Sequence, residues 1–155
     1  LILLIIARLP CDLRDRRQLP SAGRFDLAVS NPPYFPAGGG KTAAGSRGIH
    51  RAELACTMEQ LCAAAAYLLR SGGQFCLVYR TERLAELMET LRRHRLEPKV
   101  LRFVQKNAAS APSLLLMACR KDGGTGLTVQ PPLLLQNDDG TETPELRRIY
   151  FKEKG

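Results

Sequence analysis

The sequence predicts an α/β domain built on a mostly parallel sheet. Short apolar runs of strand length stand at Phe25–Ser30, Gln74–Tyr79, Val100–Val104 and Ser113–Cys119. Between the first two and the next lie stretches whose apolar residues recur every three or four positions, the spacing of a one-sided helix. Glycine or polar clusters punctuate the changes of period. Strands alternating with helices imply parallel strands covered on both faces. At 155 residues and 45% hydrophobic content, the chain can bury one core.

Taken in order, Leu1–Ala7 reads as a buried strand or the end of one. It is shorter than the ~20 apolar residues of a membrane span, and it lacks the basic start and small-residue cleavage site of a signal peptide. The segment Arg51–Arg70 predicts a helix with Leu54, Met58, Leu61, Cys62, Ala65 and Leu69 on its buried face. Ser71-Gly72-Gly73 is expected to stop it, because glycine tolerates the left-handed conformation at a helix end. Thr81 is placed to cap a second helix with the face Leu84, Leu87, Met88 and Leu91. The last two strands have no helix between them, only the polar stretch Gln105–Ser110, which suits an antiparallel hairpin. Gly123-Gly124-Thr125-Gly126 marks the exit from the core. Residues 1–125 are therefore read as one domain and 126–155 as an extension packed on it. In that extension Pro131-Pro132-Leu133-Leu134-Leu135 is expected to lie extended, and Asn137-Asp138-Asp139-Gly140 to turn. No internal repeat is visible.

The most informative stretch is Asn31-Pro32-Pro33-Tyr34, directly after the Phe25–Ser30 strand. In open α/β sheets ligands bind outside the carboxyl ends of strands. An Asn side chain offers both a carbonyl acceptor and an amide donor. Pro32 adds a carbonyl without a competing N–H, Pro33 stiffens the turn, and Tyr34 supplies a flat face for stacking. These groups suit a planar substrate bearing an amine.

The tetrapeptide resembles the N/D-P-P-Y/F signature of S-adenosylmethionine-dependent methyltransferases acting on exocyclic or amide nitrogen. The resemblance implies that the Asn31 side chain and the Pro32 carbonyl accept hydrogen bonds from a target NH₂, and that Tyr34 stacks on a base taken out of its helix. Asp12-Leu13-Arg14-Asp15, the Gly-rich loop, Arg51-Ala52-Glu53, Leu68–Gly73 and Thr141–Tyr150 extend the match over nearly the whole chain. In that order they look like the bacterial enzymes that N6-methylate the adenine beside the anticodon of a valine tRNA. The resemblance implies a partial Rossmann-like class I methyltransferase fold, with S-adenosylmethionine as cofactor and a tRNA as partner. Release-factor methyltransferases share Asn-Pro-Pro-Tyr, so protein glutamine and DNA adenine stay open as targets, and so does a non-catalytic RNA-binding fragment. The family's first strand, Gly-rich turn and following acidic residue have no counterpart before Asp12, and the chain enters at Leu1 without a methionine. The expectation is the carboxyl-terminal part of a methyltransferase, weak in cofactor binding by itself.

Within that resemblance Asp12 and Asn31 are the cofactor-facing candidates, although Cys11 stands where the family commonly has Gly. Asp12 equally suits a turn or a helix cap. Pro33, Phe35, Lys41 and Arg47 are candidates for substrate contact, the last two with His50 and Arg51 in a loop that could face phosphates or simply be solvated. Gly38-Gly39-Gly40-Lys41-Thr42 is not a P-loop, because Phe35 stands where its first glycine is required. Glu53 near a helix start reads as a dipole partner, and Tyr79 as core with Arg80 beside it. The run Arg92, Arg93, His94 and Arg95 reads as a dipole-complementing helix end ahead of a dedicated RNA contact.

The formal charge of +8 suits a polyanionic partner or a generally basic surface. Cysteines 11, 56, 62, 76 and 119 form no C-x-x-C pair. They read as reduced residues, four of them in apolar patterns, in a cytoplasmic protein without a membrane partner. Neither histidine has partners at metal-ligand spacing, so no metal site is read.

Overall fold

A computed structural model describes residues 12–32 and 57–150. The elements run β1 (Phe25–Ser30), α1 (Met58–Leu68), β2 (Leu69–Arg80), a 3-10 turn (Thr81–Arg83), α2 (Leu84–Arg93), β3 (Leu96–Gln105), β4 (Leu114–Lys121), β5 (Thr128–Leu134) and α3 (Pro144–Ile149). They form one five-stranded sheet in the order β1-β2-β4-β3-β5. β1 is parallel to β2 and β5 to β3, while β4 is antiparallel to both of its neighbours. Four strands thus point one way and β4 alone opposes them, the mostly parallel sheet with a closing hairpin that the sequence predicts. The Leu1–Ala7 strand, Cys11, Cys56 and the first turns of the Arg51–Arg70 helix lie outside the described residues.

Helix α1 starts at a capping box. The Thr57 hydroxyl accepts from the Gln60 N–H at 3.2 Å, and the Gln60 side chain accepts from the Thr57 N–H at 2.9 Å. Its predicted face is buried at Met58, Leu61, Cys62 and Ala65. The helix does not run to Ser71. It ends at Leu68, and Leu69 turns extended and enters β2 at once. Lys121 of β4 donates to the carbonyl oxygens of Ala66 and Leu69, taking the acceptors that a helix end leaves open. Ser71-Gly72-Gly73, expected as the stop, lies inside β2, with Gly72 at φ +77° in a bulge. Thr81 is likewise not a helix cap. It opens the 3-10 turn, and its hydroxyl donates to the Pro112 carbonyl at 2.8 Å, a partner remote in sequence. The face of α2 follows prediction, with Leu87 and Leu91 fully buried and Leu84 and Met88 packed at the margin.

Both α1 and α2 pack on one face of the sheet. Ala28, Phe75, Leu77, Tyr79, Leu115, Met117 and Cys119 meet Leu61, Cys62, Ala65, Leu87 and Leu91 there. Burying a large apolar side chain of this kind contributes about 1.5–3 kcal/mol, so this layer holds the fold. The opposite face carries Leu27, Val29, Cys76, Val78, Val100, Leu116 and Ala118 by strand alternation. The expectation of helices on both faces is met only in part. Among the described residues this second face is covered at one corner, where Glu145 of α3 reaches Arg102, and its centre forms a shallow depression of about 340 Å³.

The Pro131–Leu135 segment is extended, as predicted, and most of it is hydrogen-bonded into the sheet as β5 at the outer edge. Pro131 and Pro132 fall between the pairs Arg102↔Gln130 and Val104↔Leu133, where β5 holds one residue more than β3. The predicted turn follows: the Gly140 N–H donates to the Asn137 carbonyl at 3.0 Å, with Gly140 at φ +82°. Thr143 then caps α3, accepting from the Leu146 N–H at 3.2 Å while its hydroxyl donates to the Leu134 carbonyl at 2.7 Å. Pro144 occupies the first helical position, where its missing N–H costs nothing.

Candidate active site at the carboxyl end of the first strand

The last pair of β1 and β2 is Ser30↔Leu77, so the chain leaves the sheet at Asn31 with β2 running three residues further, to Arg80. Asn31 is exposed and Pro32 half-buried. The predicted Asn-Pro pair therefore stands at the carboxyl end of a strand in a parallel pair, where open α/β sheets take their ligands. Pro33, Tyr34, Phe35, Lys41, Arg47, His50, Arg51 and Glu53 lie outside the described residues.

The wall beside Asn31 is built from the end of β2. Tyr79 is 6% exposed and belongs to the core, as the sequence suggests. Its hydroxyl accepts from Arg83 Nη1 at 3.2 Å, and the Arg83 guanidinium lies 5.8 Å from the ring centroid. Glu86 holds that guanidinium in a two-pronged pair at 2.9 and 2.5 Å. The pair raises the Arg83 pKa, and bidentate geometry fixes orientation as well as charge. Thr81 N–H donates to the Ser113 carbonyl at 3.3 Å, which adds to the hydroxyl bond to Pro112 and ties β2 to the start of β4. Arg80 pairs loosely with Glu82 at 3.5 Å. Arg83 and Glu86 escaped the sequence reading, although their i,i+3 spacing on a helix start is the signal that could have marked them.

Asp12 sits in a tight turn. Its carboxylate accepts from the Arg14 N–H at 2.9 Å and from the Arg14 guanidinium at 2.6 to 3.0 Å. Those hydrogen bonds bring its pKa down to about 2, so it stays ionised at every physiological pH. Three Arg14 donors make four contacts, two on each carboxylate oxygen, and hold the carboxylate in one orientation. The following residue, Leu13, packs against the core and anchors the turn.

The basic helix end is neutralised by carboxylates. Arg92 pairs with Glu97 at 3.3 Å, Arg93 with Glu59 and Glu89 at 3.0 and 2.7 Å, His94 with Glu59 at 2.7 Å, and Arg95 with Asp122 at 2.8 Å. Glu59 belongs to α1, so two of these pairs fasten α1 to α2 instead of presenting charge to a partner. Cys62 and Cys119 are buried, and burial pushes the Cys119 thiol far above its ordinary range, which leaves it inert. Among the described residues no group of three or more His, Cys, Asp or Glu side chains is placed to hold a metal ion, and no helix is long and apolar enough to cross a membrane.

No protein-family model and no curated protein sequence matches the chain. Solved structures do. A predicted O-methyltransferase from Agrobacterium tumefaciens superposes with a TM-score of 0.70 at 19% identity, covering 91% of this chain and 60% of that one. A candidate DNA modification methylase from Thermus thermophilus gives 0.48 at 16% identity, covering 77% and 56%. A TehB-like S-adenosylmethionine-dependent methyltransferase from Corynebacterium glutamicum gives 0.38 at 18% identity, covering 65% and 50%. The first likeness establishes the fold, and the two looser ones carry no argument. The fold is that of class I methyltransferases, and the chain spans 50–60% of the length of these neighbours.

Proposed function

We propose that this chain carries the target-nitrogen half of an S-adenosylmethionine-dependent methyltransferase acting on the exocyclic N6 of adenine in RNA, with a tRNA as the substrate. One observation carries the reading: Asn31-Pro32 follows β1 directly, at the carboxyl end of a parallel strand pair, in a methyltransferase fold. The net charge of +8 supports a polyanionic substrate over a protein side chain.

Bound S-adenosylmethionine would supply a methyl group activated on its sulfonium. The Asp12 carboxylate, ionised and oriented by Arg14, is the candidate acceptor for the amino group of the cofactor's adenine. The Asn31 side-chain carbonyl and the Pro32 carbonyl accept the two N–H bonds of the target amine. That aims the nitrogen lone pair without requiring a strong base. Tyr34 stacks on the extruded base, with Phe35 widening the platform and Pro33 stiffening the turn. Lys41 and Arg47 meet phosphates. The Tyr79–Arg83–Glu86 network keeps the end of β2 from shifting beside Asn31.

The test is single-turnover methyl transfer by the full-length protein to an adenosine-containing RNA at saturating cofactor. Asn31→Ala is expected to lose on the order of 10²–10³ in turnover while remaining folded, as removal of one preorganised polar contact does. Tyr34→Ala should lose a stacking contribution of ~1–3 kcal/mol, and Tyr34→Phe little. Near-normal turnover by folded Asn31→Ala would reduce Asn-Pro-Pro-Tyr to a stiff turn. Transfer to a glutamine-containing peptide or to DNA, but not to RNA, would move the activity to those substrates.

A further inference from the structure

The β1–β2 pairing is interrupted at its amino end. Phe25 pairs with Leu69 and Leu27 with Gln74, so the four residues Arg70 to Gly73 stand opposite the single residue Asp26. Only glycine closes this bulge. Gly72 sits at φ +77°, and a Cβ on Gly73 would lie 2.9 Å from the Arg70 carbonyl oxygen and 3.2 Å from that of Phe25. The bulge throws Arg70 outward, where its Nε donates to Asp26 and its Nη1 to the Ser71 carbonyl at 3.3 Å. Arg120 comes from β4 and donates from Nη1 to the Gly72 carbonyl at 2.9 Å. Both Nη1 atoms lie within 4.0 Å of the point a Gly72 Cβ would occupy, so they are no more than about 8 Å apart.

Two exposed guanidinium groups thus converge on a gap that a glycine leaves open. Asp26 is 76% exposed and pairs with Arg70, while Glu97, opposite Arg120 on β3, is taken by Arg92 at 3.3 Å. Arg24 stands at the same end, exposed and without a carboxylate partner among the described residues, next to Gly23, whose Cβ position lies 3.9 Å from the Arg70 Cα. The bulge thus gathers three arginines around one carboxylate, whereas every arginine of the α2 end is paired.

We propose that the bulge is a phosphate cradle for the RNA backbone, with Arg70 and Arg120 gripping one phosphate from two sides across Gly72. Each guanidinium has donors to spare for charge-assisted bonds of about 2.8 Å to a phosphate. The RNA partner rests on the function proposed above, but the cradle lies at the other end of the sheet. Six residue steps along β2, from Gln74 to Arg80, span ~20 Å. The phosphate it holds is therefore remote from the base that Asn31 would orient.

The experiment is fluorescence anisotropy of the full chain with a hairpin RNA bearing an unpaired adenosine, at a series of salt concentrations. The Arg70→Gln/Arg120→Gln double variant is expected to bind more weakly at low salt, with its slope of log affinity against log salt flattened by about one per lost phosphate contact. Arg70→Lys/Arg120→Lys should keep most of the slope, and Arg93→Gln, which breaks an internal pair, should leave it unchanged. A double-Gln variant that folds yet keeps the full slope overturns the cradle, as does binding of polyglutamate in preference to RNA. Asn31→Ala separates the two readings: normal methyl transfer by that variant, alongside a flattened slope in the double variant, would remove the catalytic assignment and leave the cradle standing.

Discussion

Phe75 and Cys76 are neighbours in β2 with opposite fates. Phe75 is 1% exposed against α1 and α2, while Cys76 looks out from the half-covered face of the same strand. The contrast holds across the sheet: Leu77, Leu115 and Met117 are almost sealed, and Val78, Leu116 and Ala118 are half-buried, with Val29 72% exposed beside them. Both faces are apolar, so composition does not separate them. What differs, among the described residues, is whether a long helix packs on top. Among the described residues, the sealed core therefore lies in one layer, and the other face buries less than its residue types suggest.

The largest expected effect tests that asymmetry directly. Phe75→Ala should cost about 3–5 kcal/mol, from lost burial and the cavity left against two helices. Val78→Ala, on the open face, should cost roughly 1 kcal/mol or less, because solvent already reaches the site. Urea denaturation of the two variants decides, and equal losses would break the comparison. A smaller effect is expected where the sealed layer begins. Thr57→Ala removes the capping-box acceptor and should cost about 1 kcal/mol, with Thr57→Ser restoring most of it. The smallest concerns the corner of the open face that α3 covers. The Arg102 guanidinium bonds Glu145 at 2.7 and 2.8 Å and lowers its pKa below the usual 4.5. The folded value lies under the unfolded one, so this contribution is complete above pH 4.5 and fades as pH falls through the folded value. Glu145 is 41% exposed, so solvent screening limits it to under about 1 kcal/mol. Stability measured from pH 7 to pH 3 should drop less in Glu145→Gln than in the wild type.

Much of the fold was readable because it depends on local periodicity. The faces of α1 and α2, the strands from β1 to β4 and the turn at Asn137–Gly140 all follow from spacing or turn chemistry within a few residues. The misreadings share one cause, a partner remote in sequence. Ser71-Gly72-Gly73 has the composition of a helix stop, but positive φ serves a strand bulge equally, and pairing with β1 decides between them. Thr81 could cap a helix, yet its hydroxyl is drawn to Pro112, which only the β2–β4 pairing brings near. β5 was read as an extended segment and not as a strand, since two prolines argue against one until its place at the outer edge is known. At the candidate site, the position of Asn31 and Pro32 at the end of β1 was legible from the strand before them. The Tyr79–Arg83–Glu86 brace was not, because it needs the 3-10 turn that bends Arg83 back onto the ring.

The two prolines of β5 have a consequence for how molecules of this protein meet. A terminal strand offers a row of backbone donors and acceptors to any stray extended chain. Pro131 and Pro132 carry no N–H, at the place where β5 already holds an extra residue, so the strand is interrupted there for an incoming chain. Among the described residues β1 stands at the other end of the sheet order, and it has no proline. Among the described residues, the β5 border is thus the one built against strand addition.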